Sequence, residues 1–254
     1  MKTSGNTILI TGGSTGIGLA LSEAFIRQGN KVIACARSDS TLAEASRRLP
    51  GLITRRCDLS KEDERKSLHE WVLQNHPDVN ILINNAGIQR MIDFKNGEKD
   101  LLKYRDIDGE DEIDINFKAC VYLSALFVPD LARMKDAAIM NVSSGLGFAP
   151  IAILPVYCAT KAAIHSFSLS LRHQLRNTSV KVFEIIPPMV DTNLDKGTRG
   201  ERQQRERGIP PEEVARATLR YMLEDVHEIA VGDASNLVRG SRADPERLFS
   251  NMNR

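Results

Sequence analysis

A chain of 254 residues with 42% hydrophobic and 26% charged residues has ordinary globular usage and enough apolar material for a substantial core, which excludes a wholly disordered chain. Thirty-four basic residues against 33 acidic ones leave a formal charge of +1, so net charge gives no reason to expect nucleic acid or an anionic membrane as partner. The opening Met1-Lys2-Thr3-Ser4-Gly5-Asn6 lacks an apolar signal core and no later apolar run approaches a membrane span, so a cytoplasmic location is expected.

Thr7 to Thr11 is a short β-favouring apolar run that leads directly into Gly12-Gly13-Ser14-Thr15-Gly16-Ile17-Gly18, after which Leu19 to Gln28 reads as a helix stopped by Gly29. A strand, a glycine turn and a helix in that order present backbone N–H groups and a helix dipole to a phosphate. Gly12, Ser14, Thr15, Gly16, Ile17 and Gly18 are therefore candidate cofactor contacts, although G-x-x-x-G-x-G departs from the commoner G-x-G-x-x-G and a tight connection is the competing reading. Lys31 to Ala36 is the next strand, with Arg37 and Ser38 at the end that faces the adenine-side ribose of a dinucleotide. A guanidinium there suits a phosphate on that ribose, where a carboxylate would take the bare hydroxyl, so Arg37 favours NADP(H), with NAD(H) possible.

Ser40 is expected to cap a helix through Leu49; Leu52 to Cys57 reads as a third strand, with Asp58 and Leu59 opening a loop at its end and Ser60 to Asp63 starting a helix. Val79 to Ile83 is nearly continuous apolar chain, as in a central parallel strand covered on both faces, and runs into Asn84-Asn85-Ala86-Gly87. Residues 89 to 111 are polar and interrupted, a loop expected to border a substrate. Glu112 to Met134 has helical spacing and carries Asn116 among apolar neighbours, where the amide either bonds a nearby carbonyl or serves a site.

Ala138 to Val142 is a fifth strand ending in Ser143-Ser144-Gly145, where α/β sheets place their ligands. Val156 to Asn177 reads as a helix with Phe167, Leu171 and Leu175 as its apolar stripe, and on it Tyr157 and Lys161 stand four residues apart, hence on one face. A phenol ordinarily titrates near roughly pH 10, and a neighbouring ammonium favours the phenolate, which makes such a tyrosine usable as a proton donor or acceptor. Alone, that spacing more often marks an exposed pair on a solvated helix. Val180 to Ile186 is a sixth strand that stops at Pro187-Pro188, residues 189 to 208 form either a solvated loop or a lid, and Pro210 to Glu213 starts another helix. Glu228 to Val231 is a short seventh strand, and the tail from 240 to 254 is expected to be peripheral.

Cys35, Cys57, Cys120 and Cys158 form no C-x-x-C pair, and His69, His76, His165, His173 and His227 have no metal-like grouping, so neither a metal site nor a disulfide scaffold is expected. No repeat or linker divides the chain. The expectation is one domain over residues 1 to 254 with a doubly wound Rossmann-type α/β fold, a central parallel sheet of about seven strands and helices on both faces.

Taken together and in order, these residues resemble the short-chain dehydrogenase/reductase family over essentially the whole chain. Thr11-Gly12-x-x-x-Gly16-x-Gly18 is similar to its cofactor turn, Asp58 with Leu59 to its adenine contact, Asn84-Asn85-Ala86-Gly87 to its central turn and Tyr157-x-x-x-Lys161 to its active-site pair. More narrowly, residues 84 to 89, 156 to 163 and 187 to 192 resemble the DltE-type bacterial oxidoreductases. The resemblance implies a catalytic set of Asn116, Ser144, Tyr157 and Lys161, with Ser143 the other candidate serine, and cofactor contacts that include Asn85, Ala86, Gly87, Val190 and Thr192. Pro188 stands where the family usually has glycine.

The implied activity is reversible reduction of a small-molecule carbonyl to an alcohol by hydride transfer from NADPH. Tyr157 would act as general acid/base, Ser144 would hydrogen-bond the carbonyl oxygen, Lys161 would lower the tyrosine's pKa and hold the nicotinamide ribose, and Asn116 would position a water for proton passage. A homodimer or homotetramer is implied as well. The alternative is an NADP(H)-binding regulatory or assembly protein on the same fold. Phe148, Ile151, Ile153 and Leu154 either form an apolar substrate wall or merely pack their loop.

Overall fold

The structure, a computed structural model, describes residues 1–102, 111–194 and 208–254. Its strands are β1 (Thr7–Thr11), β2 (Lys31–Ala36), β3 (Ile53–Arg56), β4 (Val79–Asn84), β5 (Ala137–Val142), β6 (Val180–Ile186) and β7 (Glu228–Ala230). All pair in parallel, in the order β3-β2-β1-β4-β5-β6-β7. Strand order reverses between β1 and β4, which opens a crevice at their carboxyl ends.

The apolar runs are continuous because both faces of the sheet are covered. Ile8 and Ile10 of β1 face a core shared with α1 (Gly16–Arg27), α2 (Asp39–Arg48) and a later helix bearing Val214 and Met222. Leu9 points the other way, into a core built by α3 (Glu62–Asn75), α4 (Ala119–Leu131) and α5 (Pro155–Leu175). Alternation along one strand thus feeds two layers, the doubly wound Rossmann-type arrangement. The remaining helices are α6 (Pro211–Leu223), α7 (Ala234–Ala243) and α8 (Pro245–Met252). No described helix is long and apolar enough to cross a membrane.

Several boundaries differ from expectation for identifiable reasons. Ser38, not Ser40, caps α2: its backbone is extended and its hydroxyl accepts from Thr41 N at 3.3 Å. Helix α1 begins at Gly16, because the last glycines of the turn already form its first turn. The expected helix from Glu112 opens as a π-helical segment, Ile113–Lys118, before α4 continues it. The wider π spacing sets Asn116 off the regular α register. Pro155 at the first position starts α5 one residue earlier than expected. The tail, expected to be peripheral, carries helix α8, none of whose residues is buried, and its Asn253 reaches Pro150 O at 3.1 Å and Ala152 N at 2.5 Å. Of the segments expected to form a lid and a substrate loop, residues 195–207 and 103–110 lie outside the described residues.

A buried polar layer joins the sheet to the two long helices. Asn84 Nδ2 donates to Asn141 Oδ1 at 2.9 Å and to Ser124 Oγ of α4 at 3.1 Å, and Asn141 Nδ2 donates to Ser168 Oγ of α5 at 2.9 Å. An amide without a partner in this interior would cost more than its bond is worth, so these four residues act as a unit. Asn141→Ala takes one partner each from the Asn84 amide, which keeps Ser124 Oγ, and from the Ser168 hydroxyl, which keeps Ile164 O, and leaves a cavity between them. A loss of about 2–4 kcal/mol is expected from denaturant unfolding, with the sheet and helix content of the folded state unchanged by circular dichroism.

Candidate active site

The crevice begins at Thr11, the last residue of β1. Its hydroxyl donates to Ile83 O at 3.3 Å and accepts from Asn85 N at 2.9 Å and Ala86 N at 3.0 Å, while Asn85 Nδ2 donates back to Thr11 O at 2.9 Å. The ends of β1 and β4 are thereby held together at the switch point. Gly12, at φ +63°, takes a conformation open to glycine at little cost, and a Cβ on Gly18 would stand 2.1 Å from Gly12 O, so no side chain fits there. The turn therefore lies flat, with the N-terminus of α1 aimed along the crevice.

The resulting cleft has a volume of about 780 Å³. It is bordered by Gly12, Ser14, Thr15, Gly16 and Ile17 at the turn, by Arg37, Asp58 and Leu59 at one end, and by Asn85, Ala86, Gly87, Tyr157, Lys161 and Thr192 at the other. Gly18 lies behind the turn, and Val190 is buried where it pairs with Ile209 rather than on the cleft. Thr192 roofs the turn, for a Cβ on Gly16 would stand 3.1 Å from Thr192 Cγ2. At the Arg37 end, Ser14 Oγ and Thr41 Oγ1 lie 3.0 Å apart, adding hydroxyls beside the guanidinium. Burial alone would raise the Asp58 carboxyl, but hydrogen bonds from Ser60 Oγ at 2.7 Å and Ser60 N at 3.1 Å, with Lys61 and Arg37 near, hold it below the usual range.

At the other end Asn116 and Lys161 converge on Gly87, with Tyr157 beside Lys161. Lys161 Nζ donates to Val142 O at 2.9 Å and stands 5.6 Å from the centre of the Tyr157 ring. Burial disfavours its ammonium and brings its pKa down to about 8, with Cys120 opposing the shift slightly. Asn116 Oδ1 accepts from Ile88 N at 2.8 Å, and its Nδ2 donates to Ile88 O at 2.9 Å and to Thr160 Oγ1 at 3.1 Å. A Cβ on Gly87 would lie 3.3 Å from Asn116 Oδ1 and 3.5 Å from Lys161 Nζ, so the absence of bulk lets the two groups close on that residue.

The two candidate serines differ in what their hydroxyls do. Ser143 borders the cleft and donates to Glu184 Oε1 at 2.6 Å, whereas Ser144 accepts from Leu146 N at 3.1 Å and gives its own proton to no acceptor among the described residues. Ser144 is the one with a donor to spare. Around Tyr157 the apolar cluster comprises Leu154, Cys158, Met91, Leu146, Ile151 and Leu194. Ile151 and Leu154 of the expected wall are in it; Phe148 instead lies against His165 and Ile153 is exposed. Burial raises the Cys158 thiol beside Tyr157 and so disfavours its thiolate.

Three partners were not singled out from sequence. Thr160 sits between Asn116 and Tyr157 O, to which it donates at 2.8 Å. Glu112 Oε1 accepts from Arg90 N at 2.8 Å, and burial pushes its carboxyl up to about 7. Glu184, fully buried in β6, takes the Ser143 hydroxyl and His165 Nδ1. A carboxylate set between Phe183 and Ile185 in the apolar run from Val182 to Ile186 is the available signal for the last.

Residues 6–203 match the short chain dehydrogenase family. The chain is 51% identical over 253 residues to the oxidoreductase DltE of Bacillus subtilis, covering 100% of this chain and 98% of that one. It is 31% identical over 219 residues to the NADP-dependent 3-hydroxy acid dehydrogenase YdfG of Escherichia coli, covering 83% of this chain and 86% of that one. Among solved structures, a short chain dehydrogenase/reductase from Burkholderia phymatum in complex with NAD superposes with a TM-score of 0.85 at 22% identity, over 100% of this chain and 97% of that one. A short chain dehydrogenase from Burkholderia cenocepacia in complex with NADP gives 0.83 at 24% identity, over 99% of each chain. These last two likenesses concern the fold.

The buried ammonium has a measurable signature. Because the folded pKa of Lys161 lies near 8 against an ordinary 10.5, the folded protein binds fewer protons than the unfolded chain between those values, and stability attributable to this residue rises with pH across that window. Below it the buried charge is a penalty. Lys161→Met removes that penalty of roughly 3 kcal/mol and loses a hydrogen bond worth about 1, so the apoprotein gains about 2 kcal/mol near neutral pH. The gain should disappear in denaturant unfolding above pH 10.5.

Proposed function

The chain belongs to the short-chain dehydrogenase family and is an oxidoreductase, and from that premise we propose that it interconverts a small-molecule carbonyl and its alcohol with NADP(H), Tyr157 acting as general acid/base. The observation that carries this reading is the placement of buried Lys161 beside Tyr157 at one end of the cleft whose other end is the glycine turn. Bound NADP(H) supplies or takes up the hydride. The cleft fits such a molecule: a flat turn and a helix N-terminus suit a pyrophosphate, Asp58 an adenine, Arg37 a ribose phosphate, and Lys161 with Asn85 to Gly87 and Thr192 the nicotinamide half.

Tyr157 would give its phenolic proton to the carbonyl oxygen during reduction and recover it during oxidation. The Lys161 ammonium favours the phenolate that this requires, and its anchorage on Val142 O fixes the distance. Ser144 would turn its uncommitted proton to the same oxygen and stabilise the charge that develops there. Asn116 spends both amide hydrogens on Ile88 O and Thr160, so its contribution to a water-borne proton path is to hold the Ile88 main chain beside Lys161. The cluster of Met91, Leu146, Ile151, Leu154 and Leu194 favours a carbonyl with an apolar flank. Exposed Tyr122 and Leu169 on the two long helices support self-association through those helices.

The test is NADPH oxidation followed by nicotinamide absorbance against a ketone panel that includes phenanthrenequinone. Tyr157→Phe should bind NADPH as the parent does and lose roughly 100-fold or more in kcat. NADPH binding with no turnover of any panel member would instead favour a binding protein. Arg37→Glu should lower the preference for NADPH over NADH by roughly 10- to 100-fold in Kd, the value of a charge-assisted hydrogen bond, as measured by nicotinamide fluorescence. An unchanged ratio would remove Arg37 from the cofactor site, and the NADP dependence of YdfG would then have no counterpart here.

A further inference from the structure

Glu184 lies at the middle of β6, opposite Asn141 of β5, and is fully buried. A carboxylate in such a place needs donors, and it has two: Ser143 Oγ at 2.6 Å on Oε1 and His165 Nδ1 at 2.7 Å on Oε2. His165 is one helical turn beyond Lys161 on α5 and retains partial exposure. Its ring packs against Phe148 with centroids 4.4 Å apart. Ser143 and Phe148 are the two ends of the short segment that carries Ser144, so Glu184 and His165, bonded to each other, touch that segment at both ends. Between the grips, Ser144 begins a tight turn over Gly145–Gly147, and Leu146 N occupies its oxygen while leaving its proton to give. The main chain is also attached, Ser143 N to Ile185 O and Gly145 N to Pro187 O, each at 2.9 Å, and Phe148 packs on the Ile186 cluster; these hold the backbone, while Glu184 and His165 act on the side chains at its two ends.

We propose that Glu184 and His165 are positioning residues for Ser144, a clamp that fixes the segment from Ser143 to Phe148 so that the Ser144 hydroxyl meets the substrate oxygen. The arrangement is not a nucleophile relay, because the carboxylate stands between the serine and the imidazole, and the imidazole bonds no hydroxyl among the described residues. Its effect is geometric. A hydroxyl that stabilises developing charge acts through distance, and displacement of about 1 Å costs on the order of 100-fold in rate while leaving ground-state binding much less affected. The proposal rests on the carbonyl-reductase reading of the site.

The test is a set of steady-state measurements with NADPH and phenanthrenequinone as probe. Glu184→Leu, which removes both bonds, should lower kcat by roughly 10- to 100-fold with KM and NADPH affinity within about threefold, and Glu184→Gln, which keeps an oxygen for Ser143, should restore most of the lost rate. Ser143→Ala loosens one grip only and should cost less, roughly three- to tenfold; it carries the test if Glu184→Leu fails to fold. In a Ser144→Ala background, neither change should lower kcat by more than about threefold further, because the residue they position is gone. Full additivity in that background, or a parent-like kcat in Glu184→Leu, overturns the clamp while leaving Tyr157 and its reading intact. A parent protein that binds NADPH and turns over no ketone sinks the functional reading, and the clamp with it.

Discussion

Helix α5 is held to the sheet by polar side chains spaced one turn apart. Lys161 donates to Val142 O of β5, His165 to Glu184 of β6, Ser168 accepts from Asn141 of β5, and Arg172 Nε donates to Val182 O of β6 at 2.9 Å. Apolar contacts would tolerate a sliding helix, whereas a shift of one turn, about 5.4 Å, would break all four bonds and leave buried Lys161, Asn141 and Glu184 short of partners. The stripe thus sets where Tyr157 stands. The proposed proton transfer depends on that placement, because Tyr157 precedes the first anchor by a single turn.

The same principle explains why the interior behind the cleft is polar at all. Asn84, Asn141, Ser124 and Ser168 could be replaced in a simpler sheet by apolar residues at little cost in stability. What they add is uniqueness of register between β4, β5 and the two helices that bring Asn116 and Lys161 together. Lys161 itself is the extreme case: its burial disfavours the charge that its proposed chemistry uses, and one carbonyl bond only partly offsets this. A site of this kind trades stability for a poised ammonium.

The chain in its linear form carries the sheet and the cleft plainly, because both follow from short-range patterns. Apolar runs such as Ile8 to Ile10 and Ile81 to Ile83 announce strands covered on two faces, and glycines at 12, 16 and 18 announce a turn that lies flat. Tyr157 and Lys161 share a face by arithmetic. What the linear form conceals is partnership across strands. Glu184 looks like an interruption of β6 until β5 supplies Ser143 and α5 supplies His165. Ser38 and Ser40 are equally good caps by type, and only the backbone at 38 decides between them. Asn116 reads as a poor helix residue, and the π-helical turn that accommodates it depends on Ile88 offering both main-chain groups. Phe148 reads as part of a substrate wall by position, yet His165 draws it elsewhere.

Asn253 bonds the main chain of Pro150 and Ala152, on either side of Ile151, whose side chain packs with Tyr157. The far end of the sequence therefore braces the rim of the pocket, and the choice of where to attach an affinity tag or fluorophore is not neutral. A bulky group at Arg254 would lever on that rim, whereas Met1, whose ammonium meets Met222 O at 3.2 Å, lies beside α6. Measured substrate preferences of differently tagged preparations are then comparable only when the attachment point is the same.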